Sequence, residues 1–387
     1  MKIKINVRGG LFILICILVT LANIAGFSLF ENAPPFYQWS FYIVIVWYIW
    51  IMYKTLGAKA KSHNVLIRNI CALAAIVLTG LIWIVSADSG MPLQLLTFLA
   101  CILFLQVSMQ NRFLETDFKM FLVIGTIGAV VFSWNFATSA DIAYWYGVAF
   151  TLKGFNPQSV GCWACVYGMV SIQAIGYFRV RWPVKVMLAI LCGYLFYITI
   201  ATDTRAALVV LFLFLVLKCL PQIKILTNPW TTIVIAALPA LVTFASILLF
   251  RSNMFSSYAG GSLLDGREFL WMNYLTLAME HPLSGDYAGM EGVYTHNLFV
   301  EHALLFGYVL ATLFIVLTAL ALSKAVLQIR SRKQYDAYLA FAGMLLLSSQ
   351  ENLVFSTGCG GMFVYAYAFL FMTTPNQSSQ SRLKEAY

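Results

Sequence analysis

The sequence predicts an all-α polytopic membrane protein of about twelve transmembrane helices. Residues 1–387 form one membrane domain, with a large outward loop at 251–296 that carries a short amphipathic helix. Three observations predict it. Only 10% of the 387 residues are charged and 61% are hydrophobic, against about 25% charged in an ordinary soluble domain. Mean hydropathy is +0.84. Apolar runs of about 18–22 residues recur from end to end, each able as a helix to cross about 30 Å of hydrocarbon.

The candidate spans fall near 10–30, 37–53, 69–87, 91–108, 120–134, 160–178, 186–201, 206–217, 231–250, 297–323, 337–350 and 358–373. The formal charge of +9 does not point to nucleic acid, because the basic residues sort by side. Of the 24 lysines and arginines, all but Lys153, Arg205, Arg251 and Arg267 fall on one side of this arrangement. The positive-inside rule makes that side cytoplasmic. Both termini are then cytoplasmic, as an even number of spans requires.

The first span follows Lys2, Lys4 and Arg8. Its length and the lack of a small-x-small cleavage site mark it as an uncleaved span. Eight cysteines are scattered through apolar segments. Cys162 and Cys165 form a CxxC, which on a transmembrane helix reads as packing. The cytoplasmic loops are short and mostly basic, with no Gly-rich phosphate loop and no DxD pair, so no nucleotide or nucleotide-sugar site is expected there. The outward side has longer connections at 135–159 and 251–296. Loops of that length are uncommon unless they carry function.

Within the larger loop, LLDGREFLWMNYLTLAMEHP (263–282) reads as a helix. Asp265 caps it, Glu268 reaches back, and Pro282 stops it. Phe269, Leu270, Tyr274, Leu275, Ala278 and Met279 make its apolar stripe. The helix is too short to span and is expected on the bundle or at the membrane surface. Arg267 in its first turn opposes the helix dipole. It either pairs with Glu268 or Asp265, or joins the free N–H groups into an anion site.

Arg205 lies in TDTRAALVV (202–210), between two spans that almost touch. A charge with so little loop around it sits at the interface, where such residues are costly. It either pairs with Asp203 or snorkels, or it binds an anion, the reading favoured by its position. His296 ends the large loop and begins the tenth span. On a helix, Val300, Ala303 and Gly307 would share its face, and such small residues let another helix approach. A neutral imidazole held there suits a general base. The alternative is a histidine that caps the helix or bonds at headgroup level. Glu301 and His302 point elsewhere around the helix; His302 reads as a buried packing histidine and Glu301 as a supporting polar group. His63 and His281 read as loop residues. No cluster has metal-ligand spacing. The outward aromatics Trp134, Tyr144, Trp145, Tyr146, Trp271 and Tyr294 suit an interfacial belt or sugar stacking.

His296-Asn297, followed after nine residues by Gly307, resembles the loop–helix junction of the O-antigen polymerase and O-antigen ligase family, bacterial inner-membrane glycosyltransferases of the GT-C type. TDTRAALVV resembles that family's arginine-bearing turn. GREFLW (266–271) with HPLSGDYAG is similar to its large periplasmic loop, and FNPQSVG (155–161) to a stretch before a mid-chain span. The resemblance covers about 155–350. It implies a periplasmic active site and an undecaprenyl-pyrophosphate-linked glycan as donor, without metal or other cofactor. The acceptor is a second lipid-linked repeat or lipid A core. Membrane lipids surround the chain, and a chain-length regulator is a further partner the family admits. It further implies that Arg205, Arg267 and, with less support, Arg251 hold the pyrophosphate, that His296 is the catalytic base, and that Asn297, Glu301 and Asp203 support them. Leu310 stands where ligases carry Gly, Thr or Tyr, which with the modest loop favours the polymerase over the ligase. A lipid-glycan flippase or other transporter is a lower-ranked reading. The halves show no repeat, and the polar residues gather at the outward ends instead of mid-membrane.

Overall fold

The structure is a computed structural model that describes residues 7–27, 77, 98–103, 105, 113–144, 148–152, 156–178, 181–251, 267–285, 295–351, 354–355 and 361–373. The expected spans at 37–53 and 69–87 lie, apart from residue 77, outside the described residues, as does part of that at 91–108.

Eleven α-helices follow one another among the described residues: α1 (Val7–Phe27), α2 (Glu115–Ser139), α3 (Pro157–Tyr177), α4 (Trp182–Ala201), α5 (Arg205–Cys219), α6 (Pro229–Ala236), α7 (Leu238–Arg251), α8 (Arg267–Glu280), α9 (Leu298–Gln328), α10 (Arg332–Leu347) and α11 (Met362–Met372). Their starts are set by local chemistry. In both Asn-Pro pairs the Asn carboxamide accepts a backbone N–H, from Gln158 at 2.9 Å in α3 and from Trp230 at 3.0 Å in α6. The proline then occupies the first helical position, where its missing N–H is no loss. Ser331 and Gln334 form a reciprocal capping box on α10.

Four helices, α2, α3, α4 and α9, are long and apolar enough to cross a membrane, and a fifth crossing arises if α6 and α7 count as one. These two meet at a 62° bend, where Pro239 lacks an N–H and its ring clashes with the preceding turn. Among the described residues, four or five of the expected spans are thus found. At 15 residues α5 reaches only about 22 Å, short of the hydrocarbon thickness; α10 and α11 are similarly brief. The described residues are mostly helical, as expected, and a short hairpin is the one addition among them. The connection after α2 is an antiparallel hairpin of β1 (Ala140–Tyr144) and β2 (Val148–Leu152), with Ala140 opposite Leu152 and Ile142 opposite Phe150.

The core centres on α3, which is buried nearly all round and packs against α2, α4 and α5. Glycines bring these helices together: Gly168 faces Leu211 of α5, and Gly128 faces Tyr167. Cys162 and Cys165 are buried within this core, as the packing reading expected. The outer helices turn apolar side chains outward: Met187 is 68% exposed, Ile190 67% and Leu248 67%. Such a surface suits lipid and not water. A second, smaller core joins α7, α8 and α9 through Ala240, Trp271, Leu275, Ala278, Val300 and Ala303.

The large-loop helix exists, but its buried face differs from the expected one. Glu268, Trp271, Leu275 and Ala278 point inward, while Phe269, Leu270 and Met279 are exposed. Apolar side chains ring this helix, so hydrophobicity alone does not fix its rotation. The indole N–H of Trp271 does, by donating to the Thr295 carbonyl at 2.6 Å. The expected cap, Asp265, lies outside the described residues.

Candidate functional site

The start of α9 is built around Asn297, which is fully buried. Its Oδ1 accepts the N–H groups of Phe299 at 2.9 Å and Val300 at 3.2 Å. Its Nδ2 donates to the carbonyls of Ser349 at 2.8 Å and Pro239 at 3.1 Å. The carboxamide thus caps α9 and also ties it to the end of α10 and to the bend between α6 and α7. The Leu298 N–H adds a bond to the Ser348 carbonyl at 2.9 Å.

His296 sits one residue before this cap, not on the helix. Its φ of +55° is left-handed, uncommon for a residue with a Cβ and held only where its surroundings demand it. The expectation that it shares a helical face with Val300, Ala303 and Gly307 is therefore corrected. Val300 and Ala303 do admit a close neighbour, but that neighbour is α8. Gly307 itself breaks the helical geometry with φ +81°. A Cβ there would lie 2.5 Å from the Pro282 carbonyl oxygen, so the chain leaving α8 docks against backbone that only glycine leaves open.

His296 and Arg267 meet through a third residue. The Nδ1 of His296 lies 3.3 Å from Glu351 Oε2, and Arg267 Nη2 donates to Glu351 Oε1 at 3.3 Å. Arg267 Nη1 donates to the Gln350 carbonyl at 2.7 Å. The Glu351 side chain is only 3% exposed, while Arg267 is 17% and His296 20% exposed. A buried carboxylate therefore anchors a cation and an imidazole whose outer faces reach the surface. Glu351 was not among the sequence candidates. The signal that could have found it is a carboxylate in SSQENLVF at the outward end of an apolar run, where an ionisable group is costly unless used.

The other candidates lie elsewhere. Arg205 is exposed in the turn between α4 and α5, with its Nε 3.4 Å from Asp203 Oδ1. Among the described contacts it bonds to none of Arg267, His296 or Glu351. Asp203 holds that turn with φ +49°. Arg251 is the last residue of α7. Glu301 lies half-buried in the first turn of α9, its N–H bonded to the Asn297 carbonyl at 3.0 Å. His302 is buried between the rings of Phe98 and Phe314, edge-on at 4.8 and 5.0 Å, as the packing reading expected. Among the described residues, no three His, Cys, Asp or Glu side chains come together as a metal site.

Chemically, the cluster offers one imidazole able to move a proton, one guanidinium able to hold an anion, and a carboxylate that fixes both. Comparison of the chain with protein families, curated proteins and solved structures finds no match.

Proposed function

We propose that the chain is a glycosyltransferase of the O-antigen polymerase type, joining undecaprenyl-pyrophosphate-linked oligosaccharide repeats at the periplasmic face of the bacterial inner membrane. The observation that carries this reading is the convergence of His296 and Arg267 on Glu351 at the loop–helix junction. In this reading both termini are cytoplasmic, and twelve crossings are completed by the shorter helices and by segments beyond the described residues.

Arg267 uses two donors on Gln350 and Glu351. A guanidinium carries five, so three remain for a phosphate oxygen. The acceptor hydroxyl gives its proton to His296 as its oxygen bonds the donor's anomeric carbon. The bond from that carbon to the pyrophosphate oxygen breaks, and the electron pair leaves with the lipid pyrophosphate. Arg267 stabilises the charge that grows there. Arg205 and Arg251 are further cations for the donor, supported only by the resemblance of their segments. A base and a positioned acceptor supply most of the remaining acceleration.

The test is His296→Ala in the native host, with the protein's membrane level checked and its lipopolysaccharide resolved on a gel. Loss of a general base lowers turnover by about 100–10,000-fold, so the polymerase predicts core carrying a single repeat. Bare core, with long glycan accumulating on the lipid carrier, would identify the ligase, which uses the same chemistry with lipid A core as acceptor. An unchanged ladder overturns the catalytic role of His296.

A further inference from the structure

We infer that Glu351 is the positioning residue of the site: it fixes the tautomer and orientation of His296, so that Nε2 is the nitrogen that takes the acceptor's proton. The inference rests on the base role proposed above for His296 and adds to it a residue that neither the sequence motifs nor the resemblance assigned.

The argument is one of donors and acceptors. An ionised carboxylate only accepts. Arg267 Nη2 donates to one of its oxygens, Oε1, at 3.3 Å. Arg267 is the cation paired with it. The other oxygen, Oε2, faces His296 Nδ1 at 3.3 Å, so Nδ1 must carry the ring proton. Nε2 is then the lone-pair nitrogen of the neutral ring. The backbone sets where the two groups start. The left-handed φ of +55° at His296 and the buried cap at Asn297 immediately after it fix where the ring starts. The Glu351 N–H bonds the Leu347 carbonyl at 2.8 Å, which fixes where the carboxylate starts. Once Nε2 has taken the acceptor's proton, the ring is an imidazolium held 3.3 Å from a buried carboxylate. The charge created in the step is thereby stabilised without moving either group. When the proton passes on to the departing pyrophosphate or to water, the starting tautomer is restored.

The experiment uses the purified full chain. The donor is lipid-linked glycan extracted from the membranes of a His296→Ala host, where it accumulates. Glu351→Gln keeps the volume but removes the charge and the obligatory acceptor. The expected result is a fall in kcat of roughly 100-fold, with KM for the donor within about threefold of the parent. In the His296→Ala background, adding Glu351→Gln is expected to change the residual rate by less than about twofold, because the two residues act as a unit. A rise in KM with kcat kept, or losses that multiply in the double variant, overturns the inference and leaves Glu351 as scaffolding for Arg267. Should Glu351→Gln fail to accumulate, Glu351→Asp keeps the ion pair but draws the carboxylate back by one methylene. It is then read the same way, with kcat reduced and KM kept. Failures separate cleanly. If His296→Ala turns over normally, the base reading falls and this inference with it. If His296→Ala is inactive while Glu351→Gln matches the parent, only the role of Glu351 falls.

Discussion

At the scale of single residues, Asn297 does more structural work than its neighbour His296. Four hydrogen bonds leave one buried carboxamide, two to N–H groups and two to carbonyls. That uses the full donor and acceptor capacity of the side chain. Asn297→Ala leaves two carbonyls and two N–H groups buried without these partners, and each unsatisfied group costs about 1–3 kcal/mol. Asn297→Asp is isosteric but turns two donors into acceptors that face the Pro239 and Ser349 carbonyls. We expect both variants to lower the thermal unfolding midpoint in detergent, Asn297→Asp the more, measured by loss of the monodisperse peak after heating. An unchanged midpoint in Asn297→Asp would refute this account of the junction. At this scale the sequence was legible where chemistry is local. His296 and Asn297 adjoin, and Arg267 stands out as a charge at a helix start. Glu351 escaped because its partners lie 84 and 55 residues away, and no local pattern encodes that pairing. Arg205 shows the converse. Its ion pair with Asp203, two residues away, is readable from the turn itself.

At the scale of elements, the junction depends on how α8 is held. Trp271 anchors it to the Thr295 carbonyl, Tyr308 donates to the Leu275 carbonyl at 2.9 Å, and the chain beyond it packs against Gly307. Arg267, at the first turn of α8, reaches Glu351 only if this docking holds. Gly307→Ala should therefore disturb the site although Gly307 touches none of its polar groups. The new Cβ meets the Pro282 carbonyl, and the φ of +81° with ψ 162° disfavours any L side chain by about 1–3 kcal/mol. The expected outcome is a less stable protein whose remaining activity shows a raised KM for donor, since Arg267 is displaced. A Gly307→Ala enzyme with the parent's KM and midpoint would mean that this contact is not limiting. The helix was legible within a few residues from its helix-forming run and terminal proline. Its rotation was not, because apolar residues surround it and a single indole hydrogen bond decides. The β-hairpin was missed for a related reason: five-residue strands beside long apolar runs leave too short an alternation to stand out.

At the scale of the whole molecule, two polar clusters sit at opposite ends of α10. At its start, Asp336 binds Lys218 at 3.0 Å and Arg332 at 2.7 Å. Arg332 also donates to the Leu220 carbonyl at 2.6 Å, closing α10 onto the end of α5. Just past its end lies Glu351 with Arg267 and His296. A helix of 16 residues separates the clusters by about 24 Å, which approaches the thickness of the hydrocarbon core. The first cluster is rich in lysine and arginine, with Arg330 and Lys333 beside it, and the proposed reading places it in the cytoplasm by the positive-inside rule, with the His296 junction outside. The crossings that the sequence implies outnumber the helices long enough to make them among the described residues. Cys219 offers the test. Among the described cysteines it is the exposed one, and it follows Lys218 at the basic end. In a variant that keeps Cys219 as its sole cysteine, a membrane-impermeant maleimide applied to spheroplasts should leave it unlabelled until the membrane is permeabilised. A sole cysteine introduced as Asp203→Cys, in the exposed turn at the other end of α5, should label at once. Labelling in the reverse order would invert the molecule. It would move the His296 site to the cytoplasmic face, where no periplasmic glycan donor could reach it, and the proposed reaction would fail with it.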